Sequence, residues 1–135
     1  MLLSRAAVER VGLPIKEYFI WNDDAEYTER ISRSGFIGGY VPASVVLHKT
    51  PTNHFSDIYQ DDVKGIWKYR YGIRNELHTY RLRKGKFWGR FLKRVFVIPV
   101  RILKRRKDHK WAFVKVNWDA AFSAINFKPT IDKVK

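Results

Sequence analysis

The chain has no cysteine, one methionine, five prolines and no long apolar run. The missing cysteines exclude a disulfide scaffold, a thiolate zinc site and a thiol nucleophile, and they suit a reducing compartment. The longest apolar stretch, Val95-Phe96-Val97-Ile98-Pro99-Val100, falls far short of the ~20 residues that a spanning helix needs. Met1-Leu2-Leu3-Ser4-Arg5 meets a charge before an apolar core can build, so it does not read as a signal peptide. A soluble or surface-bound intracellular protein is expected. Acidic side chains are scarce too: 13 Asp and Glu stand against 27 Lys and Arg, for a net charge of +14. Such an excess calls for a polyanionic partner. What is present, 45% hydrophobic and 16% aromatic residues in 135, is enough to bury one core.

The charge is concentrated. Residues 81–110 carry thirteen basic side chains and the single acidic Asp108, whereas residues 1–60 carry six basic and seven acidic ones. Two units are expected: a nearly neutral one over residues 1–50 and a basic, helix-patterned one over residues 51–135. Thr50-Pro51-Thr52-Asn53 punctuates the boundary. In the first unit, Ser4 caps a helix that runs to Val11 and ends at Gly12 and Pro14. Tyr18-Phe19-Ile20-Trp21 reads as a strand or buried turn leading into Asn22-Asp23-Asp24, which open a helix that Gly35 stops. Residues 36–41 and 44–48 read as two short strands around Pro42. In the second unit, helices are expected over 59–84, over 86–106 with a kink at Pro99, and over 110–127. The expected fold class is therefore α+β: short strands and helices, followed by a mainly helical basic region.

Two features could carry chemistry. Asp23, Asp24 and Glu26 place three carboxylates within four residues at a loop-to-helix junction. One of them could accept a proton from an attacking hydroxyl while its neighbour orients the group. The same residues also suit plain helix capping, since Asp23 or Asp24 can bond free N–H groups and Glu26 complements the dipole. His48 closes a Val-Val-Leu run, where it could be a metal ligand, a base or simply a surface histidine.

Taken in order, Val11-Gly12-Leu13-Pro14, Phe19-Ile20-Trp21-Asn22-Asp23-Asp24-Ala25-Glu26-Tyr27, Arg30, Gly35, and Pro42 through Val46 to His48 resemble the acceptor half of family 2 glycosyltransferases. The resemblance is to bacterial rhamnosyl- and galactofuranosyl-transferases of the GT-A fold, and it extends over residues 3–81. Tyr71-Gly72-Ile73-Arg74-Asn75 is similar to the Tyr-x-x-Arg-Asn helix that follows in those proteins. The resemblance implies an inverting transfer of a sugar from a nucleotide-sugar donor to a glycan or lipid-linked acceptor in cell-surface polysaccharide synthesis. It implies Asp24 as general base, Asp23 as its orienting partner, and Trp21 with Glu26 as acceptor contacts. It implies His48 as a ligand of the divalent cation, Mg²⁺ or Mn²⁺, on the donor diphosphate. A base is needed because a sugar hydroxyl is a weak nucleophile, and a cation because the leaving group is charged.

The chain departs from that family in one respect. No Asp-x-Asp occurs in it, and only about twenty residues precede Asp23. By the resemblance, the nucleotide-binding half is missing, so the isolated chain is expected to hold no cation or donor and to be inactive.

Residues 86–107 interleave Phe87, Trp88, Phe91, Leu92, Val95, Phe96 and Ile102 with Lys86, Arg90, Lys93, Arg94, Arg101, Lys104 and Arg105. A basic amphipathic helix of this kind suits an anionic leaflet, at ~1 kcal/mol per nearby basic residue. It suits equally a helix whose apolar face packs on its neighbours. The resemblance implies a peripheral position at the cytoplasmic face of the cell membrane. A nucleic-acid module is the alternative on charge, with Tyr69, Tyr71, Tyr80, Phe87 and Trp88 among the cations. It is not favoured, because the acidic 23–29 segment repels phosphate and no named motif is present. A homo-oligomer through Trp67, Trp111 and Trp118 is the remaining class.

Overall fold

The computed structural model of the chain describes residues 2–47, 49, 56–83 and 86–134. It is helical, with 60% helix and no strand among the described residues, so the α+β expectation is overturned. Six α-helices are present there: α1 Arg5–Val11, α2 Asp23–Arg33, α3 Ile66–Leu82, α4 Phe87–Leu92, α5 Ile98–Arg105 and α6 Lys110–Ser123.

The strand readings fail for a physical reason. A strand needs a paired neighbour for its N–H and C=O groups, and no strand pairs with residues 36–47 among the described residues. That segment is irregular, and Ile37 (98% exposed) and Val45 (86%) stay in solvent. Residues 18–21 form a turn at the end of the short 3₁₀ helix Lys16–Tyr18. Residue 48 lies outside the described residues.

The helix expectations fare better. Ser4 Oγ accepts from Ala7 N at 3.2 Å, and α1 stops at Gly12, whose φ of +83° suits glycine. A Cβ at Gly12 would also collide with the Asp132 carbonyl, which accepts from Leu13 N at 2.8 Å. The C-terminal tail therefore folds back over the N-terminal helix, and Lys16 pairs with Asp132 at 3.2 Å. Helix α3 begins later than residue 59 because Asp57 and Asp62 accept the local N–H groups of Tyr59 and Lys64 in turns.

The expected kink at Pro99 takes a specific form. Residues Lys93–Val97 form one π-turn between α4 and α5. Pro99 has no N–H to give the Val95 carbonyl, so Trp118 Nε1 donates to it instead at 2.9 Å. Asn117 Nδ2 donates to the neighbouring Arg94 carbonyl at 2.7 Å. Two side chains of α6 thus satisfy the backbone groups that the π-turn releases.

The apolar core lies where α3 meets α4, α5 and α6. Leu77, Ile102, Phe113, Val114, Ala120 and Ala121 are almost wholly shielded from solvent there. The small alanines let α6 approach α3 closely. At the open end, buried Arg106 stacks 3.5 Å over the Phe113 ring and donates to the Ile58 and Asp61 carbonyls at 2.7 and 2.8 Å.

Candidate functional site

The carboxylates sit at the end of a strained turn that α3 holds in place. Phe19, Trp21 and Asn22 have φ of +57°, +63° and +65°, a region costly for non-glycine residues. The compensation comes from the Tyr71–Asn75 stretch of α3. Asn75, fully buried, donates from Nδ2 to the carbonyls of Tyr18, Ile20 and Trp21 at 2.8, 3.1 and 3.0 Å. Arg74 donates to the Glu17 carbonyl, and Asn22 Nδ2 donates to the Gly72 carbonyl at 3.2 Å. Tyr71 packs on Phe19, with ring centroids 5.2 Å apart. Gly72 is needed because a Cβ there would overlap the Trp21 indole. The turn therefore ends with Asp23 and Asp24 exposed in the first turn of α2, where the helix dipole favours negative charge.

These residues form one wall of an open cleft of about 1000 Å³. The floor is one face of α3, contributed by Tyr69, Gly72, Ile73, Glu76 and Tyr80. The side formed by α4 and the turn after it is basic, with Arg90, Lys93 and Arg94, and Arg83 at the end of α3 adds a fourth cation. Trp21 stands in the cleft edge-on to Tyr69, with ring centroids 5.2 Å apart. Burial and the Asp61 carboxylate, 2.6 Å from the Tyr69 hydroxyl, push that phenol's pKa up.

The structure thus brings Trp21, Asp23 and Asp24 together with Arg90, Lys93 and Arg94. It does not bring Glu26 to them. Glu26 is buried and chelated by Arg30 at 2.9 and 3.0 Å, and Arg30 in turn donates to the Val11 and Leu13 carbonyls. That cluster borders a separate cavity of about 340 Å³ shared with His78, Pro129 and Ile131. His48 lies outside the described residues. Among the described residues no three His, Cys, Asp or Glu side chains converge as cation ligands.

Arg101, Lys104 and Arg105 are exposed on α5, away from the cleft lining. Trp88 (61% exposed), Leu92 (50%), Phe96 (65%) and Val100 (49%) form an apolar row along α4 and α5. The π-turn absorbs one residue. Trp88 and Val100 therefore differ by only about 20° in azimuth, where an unbroken α-helix would separate them by about 120°. The exposed Phe122 of α6 extends the row, since Phe91 contacts both it and Trp88 at centroid distances of 5.5 and 5.7 Å. No described helix is long and apolar enough to cross a membrane.

Glu76 and Arg83 carry no site reading from sequence, and Tyr80 carries one only within the nucleic-acid alternative. Their signal was the helical spacing 69, 72, 73, 76, 80, 83, which continues the face of α3 that receives Trp21. No family model matches the chain, and no curated protein or solved structure matches it either.

Proposed function

We propose that this chain is the acceptor-side part of an inverting glycosyltransferase of the family 2 type. It moves a sugar from a nucleotide-sugar to a glycan or lipid-linked acceptor in cell-surface polysaccharide synthesis. The observation that carries the reading is the strained turn: Tyr71, Gly72, Arg74 and Asn75 clamp it so that Trp21, Asp23 and Asp24 face one cleft. Both stretches belong to the resemblance, and in space they form one unit.

In this mechanism the Trp21 indole offers an apolar face to the acceptor sugar. Asp24 takes the proton of the acceptor hydroxyl as its oxygen attacks the anomeric carbon from the face opposite the leaving group. The bond from that carbon to the nucleoside diphosphate breaks, the electron pair leaves with the diphosphate, and the anomeric centre inverts. Ala25 N donates to Asp24 Oδ1 at 2.7 Å, which fixes the carboxylate and leaves Oδ2 for the acceptor. Asp23 orients the same hydroxyl. By the resemblance, a nucleotide-binding half would hold the donor, and His48 would help to ligate the Mg²⁺ or Mn²⁺ that offsets the diphosphate's charge.

Asp24→Asn is the direct test, in an assay that supplies the nucleotide-binding part. Transfer is expected to fall by about 10²–10⁴-fold, the usual weight of a general base, with helical ellipticity unchanged. Transfer retained by the Asn variant would falsify the base assignment.

The row of Trp88, Leu92, Phe96 and Val100, bordered by Arg101 and Lys104, is the face that meets an anionic leaflet at the cytoplasmic side of the membrane. Co-sedimentation with phosphatidylglycerol vesicles but not with phosphatidylcholine vesicles is the expected result. Equal pelleting with both would remove the electrostatic part of this reading.

A further inference from the structure

The cleft contains charges that the protein pairs and charges that it leaves for a ligand. Of the cations lining the cleft, Arg83 is engaged by Glu29 at 2.7 Å and Arg94 is engaged by Glu76. Arg90 and Lys93 have no carboxylate partner among the described residues. The Arg90 guanidinium lies 4.5 Å from the centroid of the Tyr80 ring, which steadies the group without using its N–H edge. Lys93 opens the π-turn, and the backbone there is fixed by Asn117 and Trp118. Asp23 and Asp24 line the same cleft and have no basic partner among the described residues. Among the described residues, two cations without a carboxylate partner therefore face the same space as two carboxylates without a basic one. Asn22 joins α3 at Gly72 and Arg90 joins it at Tyr80, so the two ends are about 12 Å apart along the helix axis.

We infer that Arg90 and Lys93 form an oxyanion subsite, and that the molecule entering the cleft is a glycan that carries a phosphate ester. The planar Arg90 fork takes two phosphate oxygens, and the Lys93 ammonium adds a point charge. With the phosphate anchored there, the hydroxylated part of the ligand extends along α3 towards Trp21 and the carboxylates. A second anion at that end would be repelled by Asp23 and Asp24, so the ligand is directional. The identification of the rest of the ligand as a glycan rests on the proposed transferase reading; the oxyanion subsite itself does not.

The experiment uses the full chain at constant ionic strength, titrated by calorimetry with inorganic phosphate and with glucose 1-phosphate. Saturable binding of both is expected. Arg90→Gln with Lys93→Gln should weaken it by at least about tenfold, because two charge-assisted contacts are removed. Lys107→Gln with Lys115→Gln removes the same charge outside the cleft and should change it less than about twofold. All four positions are exposed, so the variants keep the fold, and circular dichroism checks this. Equal loss in both pairs, or no saturable phosphate binding, overturns the subsite. Vesicles containing phosphatidic acid separate the two sources of the ester. If glucose 1-phosphate competes with them for the Arg90–Lys93 site, the anchored phosphate can be that of a lipid. If the vesicles bind without such competition, it belongs to a water-soluble glycan. Because inorganic phosphate has no hydroxylated sugar, its binding judges the subsite alone. Glucose 1-phosphate binding no tighter than phosphate would instead count against the glycan reading.

Discussion

The two regions of this molecule are held together by different forces. The α3–α6 bundle closes around buried Leu77, Ile102, Phe113 and Val114, mainly through apolar contact. The N-terminal part, α1 through α2, buries few apolar side chains and is joined to α3 largely by polar side chains that grip backbone carbonyls. Asn75 takes three of them and Arg74 one, and Arg33 of α2 takes the Leu82 carbonyl in return. Apolar burial is non-directional and gives stability. Hydrogen bonds to chosen carbonyls contribute less but fix a backbone to within a fraction of an ångström. The bundle supplies the stability, and the polar joint supplies the geometry of the cleft.

Truncation on either side of this division tests it. Phe113→Ala leaves a cavity at the centre of the bundle, and a loss of about 3–5 kcal/mol is expected, with the whole chain melting earlier. Asn75→Ala removes three hydrogen bonds at once, for a smaller expected loss of about 2–3 kcal/mol. Its effect should be local. Amide exchange should accelerate over residues 18–25, and the Trp21 emission should move to the red, while amides of α5 and α6 keep their protection. If both variants loosen all amides to the same extent, the chain is one cooperative unit and the division fails.

The sequence made much of this structure legible, and the failures share one cause. Helix caps are written within a few residues, which is why Ser4 and Gly12 bound α1 as expected. The disturbance near Pro99 was legible because proline lacks a donor, but its π form depends on Asn117 and Trp118 some twenty residues away. The strands expected over 36–41 and 44–48 had the aromatic and β-branched content of strands. Strand formation, though, depends on a partner that no local pattern can report. At the candidate site, Asp23, Asp24 and Trp21 stood out as a cluster. Glu26 stood out equally and is spent on Arg30, because a helix turns successive carboxylates to different faces. Glu76 and Arg83 were hidden because a cleft wall is defined by what faces it.

The smallest expected effect falls on the seam between the two regions and comes from pH. His78 is a buried residue of α3 whose Nδ1 lies 2.7 Å from the Tyr18 hydroxyl, and its ring stands edge-on to Phe127 of the tail. Burial, reinforced by the nearby Arg81 and Arg74 charges, lowers its pKa to about 4. The unfolded chain returns it to the ordinary value of 6.5. Between these values the unfolded state binds the extra proton, so stability rises with pH across this window and falls on acidification. The contribution is fully present above about pH 6.5, and about 2 kcal/mol of it is lost between pH 7 and pH 5. The Tyr18 phenol, pushed up to about 12 by burial, stays protonated throughout and does not offset this. Chemical denaturation at the two pH values measures the loss, and His78→Gln should flatten it. Because the ring touches Tyr18 and Phe127, acid should release the N-terminal turn and the tail before the bundle. Trp21 emission should therefore change at a higher pH than the helical ellipticity. Coincident transitions would mean that the seam and the bundle give way together, and that the geometry of the cleft is no more fragile than the core beneath it.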